Sequence, residues 1–152
     1  MPSSASNSAL NPPQPDEFCQ GIKEFNRGEF YACHDTLEAL WIEAMEPDKT
    51  FYHGILQIAV GIYHLSNLNW NGAAILMGEG LYRLRNYESD YGGIDIDQLL
   101  EDSTALLRGV QVVGQENIKD LAIALDLVPA EGGDRSLPED CKNLALPNIV
   151  VL

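Results

Sequence analysis

Positive charge is scarce in this chain: Lys and Arg total 9 against 23 for Asp and Glu, a net charge of -14 over 152 residues. Such a field repels phosphate backbones and anionic headgroups, and no basic run interrupts it, so nucleic acid and membrane surfaces are excluded as expected partners. Cysteine is scarce too. Cys19, Cys33 and Cys141 form an odd set with no CxxC pair, which points to reduced, buried thiols and a cytoplasmic location. Long apolar runs are missing: "GILQIAVGIYHL" at 54–65 spans twelve residues, is broken by Gln57 and His64, and is too short to cross a bilayer. The opening "MPSSASNSALNPPQP" has neither the positive start nor the apolar run of a secretory leader, and is expected to be a disordered lead-in over residues 1–15.

Signatures of chemistry are also lacking. There is no HExxH, no GxSxG elbow and no phosphate-cradling glycine loop, and no Glu is followed by His three residues later, as a di-iron bundle requires. Cys33 adjoins His34, but neighbouring helical residues point about 100° apart, so that imidazole is badly placed to activate the thiol.

What is present is 45% apolar content in helical periods. Pro15 with Asp16 and Glu17 starts a first helix, with Phe18, Ile22 and Phe25 on one face and Gly28 as its stop. A second helix is expected from about Glu29 to Ala44, and a third, capped by Asp48, to about Leu68. The third is apolar nearly all round and should be central, and Gly54 and Gly61, seven apart, would admit a neighbouring backbone at two levels. A fourth helix follows "NLNWNG" to about Tyr87, with Trp70 pinning the turn and Glu79 and Arg83 as an i,i+4 pair on its wet side. Asp95 caps a fifth helix. Residues 116–128 are either a further helix or a continuation of the fifth beyond a kink at Gly114.

The expectation is therefore an all-α fold: a single-domain bundle of about five helices over 16–128, then a loop and an extended apolar tail over 129–152. "LALPNIVVL" at the end should dock on the domain, or on a second copy in a homo-oligomer.

Polar residues inside this frame mark the candidate site. In "FYACHDTLEALW" at 30–41, His34, Glu38 and Trp41 share one side with Phe30 and Leu37, along the seam a helix normally buries. On the third helix His53, Gln57, Val60 and His64 form a second row. Antiparallel pairing of the two helices would set Trp41 near His53, Glu38 near Gln57 and His34 level with Val60 to His64. The candidate binding set is thus His34, Glu38, Trp41, Gln57 and His64, read first as a buried polar network or a pocket for a small organic ligand. No cofactor is expected. A divalent metal on His34, Glu38 and His64 is a speculative alternative, as is acid/base chemistry by the His34/Glu38 pair.

"FNRGEFYACHDTLEALW" at 25–41, "FYHGILQIAVGIYHL" at 51–65 and "NWNGAAILM" at 69–77 together resemble the small bacterial, archaeal and plastid proteins of domain of unknown function 309. The likeness covers roughly residues 18 to 110 and marks Phe25, Asn26, His34, Glu38, Trp41, Gly54, Gln57, His64, Gly72 and Ala73. It implies an all-helical domain and no established activity. Asp35 and His53 depart from the family pattern, where glutamate and glutamine are usual. The function expected is a noncatalytic cytoplasmic module that binds a small molecule or protein still to be identified.

Overall fold

The computed structural model describes residues 13–130 and 137–152. The expected lead-in lies outside these residues apart from 13–15, and part of the loop before the tail, 131–136, lies outside as well. Among the described residues the chain forms six α-helices: α1 (Asp16–Asn26), α2 (Phe30–Glu43), α3 (Asp48–Ser66), α4 (Trp70–Leu84), α5 (Ile96–Val113) and α6 (Ile118–Ala124).

Local chemistry sets most of these ends. Gly28 (φ +80°) takes the left-handed conformation that stops α1, and Asp95 accepts from the Gln98 N–H at 3.0 Å to cap α5. Asn69 caps α4 by accepting from the Gly72 N–H at 3.0 Å. Gly114 (φ +70°) ends α5, so residues beyond it form a separate short helix instead of an extension. The expected cap of α3 is different. Asp48 instead accepts from the Tyr91 hydroxyl at 2.6 Å, and Glu46 takes the N–H and hydroxyl of Thr50 at 2.8 and 2.6 Å, since its longer side chain reaches back over the first turn.

α3 is the central helix. It packs antiparallel between α2 and α4, and Phe51, Ile55, Ile58, Ala59, Ile62 and Leu65 are fully buried. The α3/α4 contact is the closest in the fold. A Cβ on Gly54 would stand 3.2 Å from the Gly80 carbonyl oxygen, and one on Gly61 would stand 3.0 Å from the Met77 nitrogen. The two expected glycine levels are therefore present, with α4 as the backbone they admit. Trp70 donates its indole N–H to the Val110 carbonyl at 2.8 Å, tying the start of α4 to α5.

The apolar ending docks on its own domain. Asn26 at the end of α1 donates to the Ile149 carbonyl at 2.8 Å and accepts from the Ile149 N–H at 2.7 Å. Beyond it the tail pairs antiparallel with residue 94: the Asp95 N–H donates to Val150 O at 2.8 Å and the Leu152 N–H to Gly93 O at 2.9 Å. Val151 and Leu152 nevertheless remain 69% and 68% exposed.

Candidate functional site

α2 and α3 lie flank to flank, as the spacing requires. At one end the Trp41 ring stacks on His53 with centroids 4.5 Å apart, and at the other Tyr31 meets Tyr63 at 5.2 Å. The seam itself is rotated from the expected one. Phe30, Cys33 and Leu37 turn into the core, whereas the side chains of His34 and Glu38 are 26% and 45% exposed. One residue around the helix is enough for this change, and burying a carboxylate without a full set of partners costs more than burying a thiol. The histidines are accordingly half-buried at the edge of the bundle.

On that edge His34 stands between two carboxylates, with Nδ1 3.1 Å from Asp35 and Nε2 3.4 Å from Glu38. The expected approach of Glu38 to Gln57 does not form the hydrogen bond that matters. Gln57, buried, turns toward α4, donating to Glu79 at 2.8 Å and accepting from Arg83 Nε at 2.7 Å. Glu79 and Arg83, expected to serve each other on the wet side, instead close on the two ends of one amide. A guanidinium bond to a buried carbonyl is worth more than a solvent-exposed ion pair. Sequence reasoning found the pair and its four-residue spacing on α4 but missed that both residues serve the single amide of Gln57 on α3.

His64 has a structural task at the α3/α4 turn. The Asn69 amide donates to its Nδ1 at 3.2 Å, and a Cβ on Gly72 would come within 2.8 Å of its Cγ. His64, Asn69 and Gly72 therefore lock the turn, which accounts for two of the resemblance positions. The deepest carboxylate was also missed. Glu24, 9% exposed, receives the Gln20 amide at 3.1 Å on one oxygen, and its other oxygen has no partner among the described residues.

Trp41 anchors the positive end of the face, with Lys49 Nζ 5.3 Å over its ring and bonded at 2.8 Å to its carbonyl. Burial under Trp41, and next the charge of Arg83, hold the His53 imidazole below its ordinary value near 6.5. Its folded form resists the proton, so the unfolded chain takes that proton up first as pH falls. Stability from this residue is present above the ordinary value and is lost as pH drops through it toward the lower folded value. Denaturant midpoints measured at pH 7.5 and pH 5 should therefore fall further in the wild type than in His53→Gln; equal losses would contradict the assignment.

Among the described residues no group of three or more His, Cys, Asp or Glu side chains converges to hold a metal ion. The speculative set is divided, with His34 and Glu38 adjacent on α2 and His64 turned to Asn69. What the face offers is imidazole, indole and paired charges, and the buried amide beneath them gives one N–H to Glu79 and accepts from Arg83.

Residues 18–76 match the model of a family described as a domain of unknown function (DUF309). All five candidate residues fall inside that segment, while Glu79 and Arg83 lie beyond it. Neither a curated protein nor a solved structure matches the chain.

Proposed function

We propose that the chain, whose residues 18–76 match the DUF309 model, is a noncatalytic binding module whose recognition face is the edge of α2, α3 and α4 bearing His34, Glu38, Trp41, His53 and Arg83. The observation that carries this reading is the engagement of Gln57: its amide gives one N–H to Glu79 and its oxygen accepts from Arg83, so both ends of the polar centre of the face are held by structural partners. A catalytic group would need unmet hydrogen-bonding capacity aimed at a substrate. Aromatic and aliphatic side chains on the helices of this face, Tyr31, Ile42, Ile75 and Tyr82, are each more than half exposed, as suits contact with a partner. Three cysteines without disulfides and the absence of any helix long and apolar enough to cross a membrane among the described residues support a cytoplasmic setting.

The competing reading, a metal-dependent or acid/base enzyme, rests on the His34/Glu38 contact. Elemental analysis of untagged protein, with thermal melts of wild type and Glu38→Gln, separates the two. The binding module should carry no stoichiometric metal, and Glu38→Gln should move Tm by less than about 4 °C, because a half-exposed ion pair contributes roughly 0 to 1 kcal/mol. A metal retained at one per chain and released by Glu38→Gln would sink the proposal.

A further inference from the structure

Outside the α2–α4 face the fold encloses a cleft of about 490 Å³ between α1, the Gly92–Gly93 turn and the C-terminal tail, within the range of small-molecule sites. Its wall is apolar, formed by Phe18, Ile22, Ile94, Val151 and Leu152. In a chain with 23 acidic residues, no carboxylate side chain is among the described lining residues, and Lys23 supplies the charge there.

The backbone gives the cleft a second polar feature. In the tail, Val150 and Leu152 direct their backbone groups to residues 93–95, so alternation along the strand turns those of Ile149 and Val151 the other way, toward α1. At Ile149 that edge is filled by Asn26, whose side-chain amide stands in for a neighbouring strand. Two residues on, at Val151, no described residue takes the place of that clamp. Lys23 lies one turn back along α1 from Asn26, on the same side, and lines the cleft together with Val151. The Lys23 ammonium and the Val151 N–H, which has no acceptor among the described residues, thus belong to one apolar cleft. The wall continues along α1 past Ile22 to Phe18, on the order of 10 Å at 1.5 Å per helical residue.

We propose that this cleft binds a straight-chain monocarboxylate of the fatty-acid type, its carboxylate paired with Lys23 and accepting from the Val151 N–H, its chain lying on Phe18, Ile22, Ile94 and Leu152. The ammonium and the backbone donor both ask for an acceptor bearing negative charge, and the wall asks for methylenes. Gly93, where a Cβ would meet nothing within 4 Å, leaves the turn side of the cleft open.

The cleft carries its own reporter. Cys19 lines it and is exposed, whereas burial holds the thiols of Cys33, at about 12, and Cys141 above their ordinary value and away from reagents. The test is iodoacetamide alkylation of the full chain, read by mass spectrometry, with decanoate, decanol or decylammonium below their micelle concentrations. Decanoate should slow modification of Cys19 saturably, with decanol and decylammonium at least tenfold weaker. Lys23→Gln should weaken decanoate about tenfold. Val151→Pro, which removes the donor while leaving the ladder bonds of Val150 and Leu152, should do the same. Unchanged Cys19 reactivity under decanoate, equal protection by decylammonium, or wild-type affinity in both variants would each overturn the proposal.

Discussion

Gly80→Val is expected to cost about 3 kcal/mol, lowering Tm by roughly 6 to 12 °C in a chain of this size. A Cβ at this position would lie 2.6 Å from the Gly54 carbonyl oxygen and 3.0 Å from the Ile58 nitrogen, both backbone atoms of the facing helix. Backbone cannot rotate aside as a side chain can. The two helices must separate, and their separation opens gaps along the whole α3/α4 seam, including the Gln57 clamp one turn away. Gly80→Ala should fall between valine and wild type, since alanine recovers about 0.8 to 1 kcal/mol of helix propensity. Gly78 provides the opposite sign on the same helix. There the nearest atom to an added Cβ is a Leu107 methyl at 3.9 Å, an ordinary contact, so Gly78→Ala should be neutral or stabilising by up to about 1 kcal/mol. Equal effects at 78 and 80 would refute the close-crossing account.

Phe51→Ala should lose about 3 to 5 kcal/mol and, more specifically, release the tail. The fully buried ring lies 5.6 Å from Phe18, 5.5 Å from Tyr87 and 4.8 Å from Tyr91, joining α1, α3 and the segment after α4. Gly92 rests directly on it, so closely that a Cβ there would sit 2.5 Å from the ring edge. The turn at 92–93 presents the Gly93 carbonyl that receives the Leu152 N–H. Removing the ring leaves that turn without a floor. Native-state hydrogen exchange should show Leu152 and Asp95 losing protection beyond the global loss of stability; if their exchange follows the global change alone, the turn is held by something else.

The helices were legible because their chemistry is local. Gly28, Asp95 and Asn69 act on atoms within three or four residues, and the nearly all-round apolar surface of 51–65 leaves the middle of the bundle as its place. The pairing of α2 with α3 could also be read, and the Trp41/His53 stack follows from that register. The environment of the candidate site could not. Whether His34 and Glu38 face core or water turns on a rotation of one residue about α2, and apolar residues at 30, 33 and 37 compete with them for the same seam. Likewise, Gln57 had credible partners on both neighbouring helices, and the choice of Glu79 and Arg83 over Glu38 depends on how close α4 comes. That closeness depends on Gly80, which carries no side chain and therefore no periodic signal of its own.

The amino-acid order alone thus determined an all-α chain, the stops of its main helices, the central place of α3, the shortness of its apolar runs and a net charge of -14. Those follow from propensity, capping and summed charge, which act over a few residues or over the whole composition. Tertiary structure decided which oxygen meets which nitrogen and which side chains share a cleft: that Asn26 would clamp Ile149, that Gln57 would answer to α4, and that Lys23 would be the one charged side chain among the described lining of the cleft between α1 and the tail. These pairings join groups 22 to 123 residues apart, and helix rotations of a single residue select among them at small differences in desolvation and packing energy, a choice that no local pattern encodes.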